Sequence, residues 1–119
     1  MFQKVNEERR KLAIKELVFD KNLVPVARSH AKDMWGRKYF AHVSPEGEDV
    51  GDRLQKFKIS YTYAGENLAL APTTATAHTG LMNSKGHREN ILDPRFTKLG
   101  IGVIDNGIYG KMFVQVFTD

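Results

Sequence analysis

The 119-residue sequence contains no cysteine, only four prolines and no long hydrophobic run. Without cysteine there is no disulfide framework, no thiolate metal site and no cysteine nucleophile. A membrane-spanning helix needs ~20 apolar residues, and no segment approaches that length. Met1 leads directly into a charged segment instead of the apolar stretch of a signal peptide. We therefore expect a chain that is not transmembrane and that carries no signal peptide of its own.

Acidic residues are outnumbered, with 14 Asp and Glu against 18 Lys and Arg and a formal net charge of +4. Most of the basic surplus lies in the first half of the chain at helical spacing beside acidic residues, which is typical of a solvated helix face. No basic run alternates with aromatic residues that could stack on bases, so we do not expect nucleic-acid binding. The length predicts a single domain over residues 1–119.

Helical periodicity dominates the first third of the chain. Apolar residues around a polar run predict a helix over residues 2–12. Asp20 or Asn22 can cap a second helix, in which Pro25 falls in the first turn, where its missing N–H is not needed. This second helix carries the strongest apolar repeat in the sequence and is expected to end near Gly36.

The middle of the chain changes element type twice. A third, short helix is predicted over about 49–58, followed by an extended passage that ends at Pro72. Thr73 or Thr74 can start a fourth helix, which Gly86 should end. The buried positions of the third helix would be Val50, Leu54 and Phe57.

The last twenty residues alternate between apolar and polar side chains on both sides of Asn106-Gly107. An Asn-Gly pair suits a type I′ turn, so this segment predicts an antiparallel hairpin. Helices that come first and strands that come last indicate an α+β fold with helices stacked on an antiparallel sheet.

Three polar residues stand where the local pattern favours apolar ones: His42, Glu66 and His87. Two imidazoles and a carboxylate suit a divalent metal such as Zn²⁺, for which three protein ligands and a water are a common arrangement. The same groups could instead act as a base and its orienting acid. The spacing does not show whether the three side chains meet, so both interpretations stay open.

Four motifs stand in order along nearly the whole chain. They are AHVSPEG at residues 41–47, AGENLA at 64–69, LMNSKGHRENIL at 81–92 and FTKLGIGV at 96–103. Together they resemble the signature of bacterial CAP domains, the SCP-like superfamily that includes cysteine-rich secretory proteins and antigen-5. The absence of cysteine separates the chain from the disulfide-rich animal members.

The resemblance implies a three-layer α-β-α sandwich with a central antiparallel sheet, the CAP fold. It also implies a central cavity that collects two histidines and acidic residues, at positions matched here by His42, His87 and Glu66. Eukaryotic members carry a second glutamate where this chain has Ser84. One possible metal ligand or base of the family is therefore missing.

The candidate binding residues near this cavity are Ser84, Asn67 and Tyr39. Each also has a structural interpretation, because Ser84 can bond a helix end, Asn67 can bond backbone and Tyr39 can form a cavity wall. His30 and His78 lie outside the site motifs, and we expect them to be structural or exposed.

The resemblance implies an extracellular or envelope-attached bacterial protein. The favoured hypothesis is a binding module that holds a small apolar ligand, a cell-wall polymer or a partner protein in the cavity. A metal-dependent or His/Glu-assisted hydrolase is one alternative, although the chain has no G-x-S-x-G motif to present a serine nucleophile. A structural module of the cell envelope or spore is another.

Overall fold

Five helices and four strands make up the computed structural model, which describes all residues 1–119. None of the helices has both the length and the apolar character that crossing a membrane requires. The elements in chain order are α1 (Phe2–Lys11), β1 (Val18–Phe19), a 3₁₀ turn (Lys21–Leu23), α2 (Val24–Arg37), α3 (Val50–Lys56), β2 (Ala64–Ala71), α4 (Thr74–Met82), α5 (Lys85–Leu92), β3 (Lys98–Asp105) and β4 (Lys111–Thr118).

The four strands form one sheet in the order β1-β3-β4-β2. The strands β3 and β4 make the C-terminal antiparallel hairpin, and β2 pairs antiparallel with the other side of β4. The two-residue strand β1 runs parallel to β3, a pairing that the sequence did not predict. Because β2 contacts only β4, one side of β2 is an edge of the sheet.

Helices cover both faces of this sheet, which confirms the expected α+β sandwich. On one face, Leu68 of β2 and Val116 of β4 pack with Ala27 of α2 and Leu54 of α3. On the other face, Phe117 of β4 packs with helices α1, α4 and α5. The buried residues of that second cluster are Val5, Leu17, Leu81, Ile91, Phe96, Leu99 and Phe117.

Two glycines of β3 allow α2 to lie directly on the sheet. A Cβ at Gly100 would stand 2.3 Å from Leu23 Cβ, and one at Gly102 would stand 2.4 Å from the backbone nitrogen of Arg28. No real Cβ tolerates such distances. The absence of a side chain at both positions therefore permits this close approach, which fixes the helix that carries His30.

Most predicted helices are confirmed, and one helix was missed. Phe57 is 43% exposed and lies at the end of α3, so its predicted burial is wrong. The chain breaks at Asn83-Ser84 rather than at Gly86, which lies in the first turn of α5. His87 therefore belongs to a fifth helix, which the sequence analysis missed because it treated Gly86 as the end of a helix.

The hairpin is confirmed, but its turn type is not. Gly107 has φ +63°, as expected, whereas Asn106 has φ −103°. A type I′ turn requires positive φ at both central residues. The connection instead spans 106–110, with a short 3₁₀ turn and Gly110 at φ +89°.

Candidate ligand site

Glu66 is the centre of the candidate site. The register of β2 points its side chain to the α2/α3 face of the sheet, beside its cross-strand partner Val116. The side chain is only 2% exposed. A carboxylate buried among apolar groups requires charged or hydrogen-bonding partners, because an isolated buried charge is costly.

Arg53 supplies the opposite charge. Its Nη2 lies 2.6 Å from Glu66 Oε2, and the guanidinium also donates to the backbone carbonyls of His42 and Glu48. A capping box formed by Asp49 and Asp52 begins α3 one turn earlier and so fixes the orientation of Arg53. The ion pair is buried, so it holds the loop around residue 42 against β2.

His42 hydrogen-bonds to the second oxygen of the same carboxylate. Its Nδ1 lies 2.9 Å from Glu66 Oε1, while its side chain remains 55% exposed. The hydrogen bond to Glu66 raises the pKa of His42 above its ordinary value, against the opposing effect of burial. The arrangement is that of an imidazole oriented by a carboxylate, with Nε2 making no hydrogen bond.

His30 lies behind this pair, inside the protein. Its Nε2–H donates to the carbonyl of Ala41 over 2.8 Å and lies 4.0 Å from Glu66 Oε1. Only 1% of its side chain is exposed, and this burial lowers the pKa of His30 although Glu66 partly opposes the shift. His30 is structural, as expected, but it is also part of the Glu66 cluster, which the sequence analysis did not predict.

His87 approaches from the first turn of α5. Its Nδ1 lies 2.8 Å from Ser84 Oγ. Burial, followed by the charge of His42, lowers the pKa of His87. The side chain of His87 forms no hydrogen bond or ion pair with His42 or Glu66. The structure thus joins His42 and Glu66 directly, whereas His87 connects to β2 through its backbone carbonyl, which accepts from Asn67.

The predicted binding residues have well-defined partners. Asn67 is fully buried and donates to the carbonyl of His87 and to Gln115 Oε1. Asn90 donates to Asn67 Oδ1 and to the carbonyl of Glu66. The Tyr39 hydroxyl donates to Asp33, and burial together with this bond raises the pKa of Tyr39 to about 12. Asn67 and Tyr39 therefore position other groups rather than point at open space.

Sequence reasoning missed Arg53 and His30, although a signal for each was present. Arg53 lies three residues after Val50, on the side of α3 that the apolar pattern buries. His30 lies on the apolar stripe of α2 between Ala27 and Ala31. A charged or titratable residue on a buried stripe requires a buried partner, which is Glu66 for Arg53 and the carbonyl of Ala41 for His30.

A groove of about 590 Å³ runs along the free side of β2, and we call it the β2 groove. Phe40 and Leu70 are exposed at its rims, while Ser84 and His87 lie at one end. No Asp, Glu, Lys or Arg lines it. The lining residues are Phe40, Leu68, Ala69, Leu70, Ala71, Thr76, Ala77, Gly80, Leu81, Ser84 and His87.

The donor set does not fit the three-ligand metal centre that the sequence suggested. No group of three or more His, Asp or Glu side chains is positioned to hold a metal ion. Both oxygens of Glu66 are engaged, one by Arg53 and one by His42. The chemistry that the arrangement supports directly is proton transfer at the Nε2 of His42, which makes no hydrogen bond on a side chain that is largely exposed.

Two curated relatives from Bacillus subtilis share this sequence pattern. The uncharacterised protein YkwD is 40% identical over 111 residues, which are 92% of this chain and 43% of that protein. The uncharacterised membrane protein YlbC is 35% identical over the same share of this chain and 32% of its own length. The chain therefore spans less than half the length of these relatives.

Solved structures match the fold closely. An extracellular protein containing an SCP domain from Bacillus anthracis has a TM-score of 0.88 at 38% identity, over 99% of this chain and 39% of that one. An outer surface protein from Borrelia burgdorferi has a TM-score of 0.92 at 23% identity, over 99% and 88% of the two chains, and this likeness shows the fold alone.

The family model of the cysteine-rich secretory protein family, CAP, matches residues 2–117. That range includes every element described above, except the last residue of β4, as well as the cluster around Glu66. The α-β-α layers and the bacterial relatives agree with this match. The chain belongs to the cysteine-rich secretory protein (CAP) family.

Proposed function

We propose that this domain is an extracytoplasmic binding module that holds an uncharged, largely apolar ligand in the β2 groove. The observation that carries the proposal is a groove of about 590 Å³ without a charged side chain in its lining. That volume lies within the range of small-molecule sites, which are typically apolar with a few fixed polar groups. Ser84 and His87 provide those polar groups at one end.

The fixed polar cluster supports this interpretation. Glu66 and Arg53 neutralise each other inside the protein, so their charges do not oppose an apolar ligand. An anionic cell-wall polymer fits the groove less well, because no Lys or Arg lines it. The description of an extracellular protein containing an SCP domain among the structural relatives supports a location outside the cytoplasm.

A glycine within α4 offers a direct test. A Cβ at Gly80 would meet no atom within 4 Å, and Gly80 lines the groove, so Gly80→Phe should fill the groove without disturbing the core. We expect the neutral dye N-phenyl-1-naphthylamine to bind the parent protein and to bind Gly80→Phe about tenfold more weakly or worse, a loss of ~1.4 kcal/mol. Fluorescence titration measures both affinities.

The matched control is Gly36→Phe on α2, where a Cβ also meets no atom within 4 Å and which does not line the groove. It should bind the dye as the parent does. Equal binding by Gly80→Phe and the parent would place the dye elsewhere. No binding by the parent would favour the structural role in the envelope or spore.

The His42–Glu66 pair favours hydrolysis as a second candidate function. An imidazole with a raised pKa and a free Nε2 can take a proton from water when it is neutral. A metal-dependent version would require His42 and His87 as ligands, and it stays a prediction of the sequence. Hydrolysis of a fluorogenic peptide that is lost in His42→Ala would support this function. Activity that a chelator abolishes would support the metal-dependent form, and activity that a chelator leaves unchanged would support the metal-free form.

A further inference from the structure

The backbone of β2 is unpaired along the side that faces the β2 groove. Residues of a strand alternate in the direction of their N–H and C=O groups. The carbonyls of Thr97 and Leu99 accept from the N–H groups of Val18 in β1 and Asp20 just after it, so the backbone groups of Lys98, between them, point toward β4. Because the pairing registers are known, the direction of each backbone group can be followed from β3 to β4 and from β4 to β2.

This alternation directs Gly65, Asn67, Ala69 and Ala71 toward β4, and it directs the backbone groups of Glu66, Leu68 and Leu70 away from it. Two further bonds agree with this assignment. The carbonyl of Tyr63, two residues before Gly65, accepts from Asp119 at the end of β4. The carbonyl of Glu66 accepts from the side chain of Asn90, outside the sheet.

Beyond Glu66, the outward-pointing backbone has no partner. No backbone hydrogen bond outside the regular ladder involves Leu68 or Leu70, and both residues line the β2 groove. Leu68 is also buried, which makes unpaired polar groups there costly. The floor of the groove therefore presents donors and acceptors that repeat every second residue between apolar walls.

We propose that the ligand of the β2 groove is an extended, uncharged peptide segment that adds as a strand to the free side of β2. This inference rests on the proposed function and names its ligand class. A hydrocarbon chain would match the walls but leave Leu68 and Leu70 unpaired, whereas a peptide backbone supplies donors and acceptors at the same repeat. The uncharged lining selects a segment without Asp, Glu, Lys or Arg.

The groove sets the length of that segment. Leu68 to Ala71 are the β2 residues in its lining, and four residues in a strand span ~13 Å. Phe40, Ala77 and Leu81 also line the groove and can contact side chains of the added strand. Main-chain bonds would supply affinity, and these contacts would supply selectivity.

The probe is the capped tetrapeptide acetyl-Val-Thr-Val-Thr-amide. Binding should slow hydrogen exchange at the amides of Leu68 and Leu70, measured by NMR, because these two N–H groups gain partners. The same peptide with every backbone nitrogen methylated is more apolar but cannot donate. It should bind about tenfold more weakly or worse, because each lost hydrogen bond costs affinity.

The variant Leu70→Pro tests whether the backbone N–H of the protein contributes to peptide binding. Proline removes only the outward N–H and is tolerated on edge strands. It should weaken peptide binding about tenfold or more, whereas the matched variant Leu70→Val, which retains the N–H, should weaken it much less. If Leu70→Pro does not fold, the methylated peptide and the exchange measurement on the parent decide.

Three results would overturn strand addition. These are equal affinity for the methylated and unmethylated peptides, unchanged exchange at Leu68 and Leu70 in the bound state, and no peptide binding by a protein that binds the dye. None of these three results contradicts the proposed apolar binding groove, which the dye titration tests separately. Failure of both the peptide and the dye to bind would overturn both proposals.

Discussion

Two buried arginines, one on each face of the sheet, are held in different ways. Arg9 of α1 is almost fully buried and donates only to backbone carbonyls. Arg53 of α3 is also buried, but its shortest bond is to the carboxylate of Glu66. The acceptors of Arg9 are the carbonyls of Lys15, Ile91, Asp93 and Phe96.

The difference separates a structural cation from one that belongs to a site. Backbone acceptors cannot titrate or change rotamer, so Arg9 ties α1 to the segment between α5 and β3. The acceptor of Arg53 is a side chain that also binds the exposed His42. A change at Arg53 can therefore reach the surface of the protein, whereas a change at Arg9 should affect stability alone.

Replacement of Arg9 should produce the largest loss of stability. Arg9→Met removes the guanidinium that donates to the carbonyls of Lys15, Ile91 and Phe96. Because hydrogen bonds from a charged donor stabilise more than neutral ones, we expect the free energy of unfolding to fall by about 4 kcal/mol or more. Arg10→Met is the matched control, because Arg10 is exposed and pairs only with Glu16. Urea unfolding of both variants measures the difference, and a loss below that of Arg53→Met would reverse the comparison.

Replacement of Arg53 should cost about 3 kcal/mol, because Arg53→Met leaves the carboxylate of Glu66 buried without its cation. Adding Glu66→Gln removes that stranded charge and should recover part of the loss. A double-mutant cycle by urea unfolding tests this coupling, with Lys56→Met on the exposed side of α3 as the control. Strictly additive losses would mean that the two side chains are independent.

The smallest effect should be a change in acid sensitivity. Burial holds the pKa of His30 below its ordinary 6.5, so the unfolded chain takes up a proton there more readily than the folded protein. Stability should therefore fall as pH drops from about 6.5 toward the lowered pKa of His30. His30→Gln, whose amide can still donate to the carbonyl of Ala41, should flatten this fall.

His42→Gln is the opposing control. The raised pKa of His42 contributes stability that is complete below about 6.5 and is lost as pH rises through the raised value. Its replacement should therefore make the acid loss steeper, not flatter. Unfolding free energies at about pH 7, 6 and 5 compare the three proteins, and identical slopes would show that neither histidine controls the pH dependence.

The local pattern of apolar and polar residues predicted much of the fold. The apolar repeat around Ala27 and Met34 predicted α2, and the alternation around Asn106-Gly107 predicted the hairpin. The missed elements lacked such a signal. The strand β1 has only two residues, and Gly86, a residue that usually disfavours helix, sits in the first turn of α5.

The sequence by itself determined the family resemblance, four of the five helices and the C-terminal hairpin, and it identified His42 and Glu66 as candidate site residues, because these rest on local spacing and contiguous motifs. Only the tertiary structure decided that Arg53 and His30 join Glu66 and that His87 does not contact it. These contacts connect elements far apart in the chain. Their distances depend on how α2, α3 and α5 pack around β2, which no local pattern encodes.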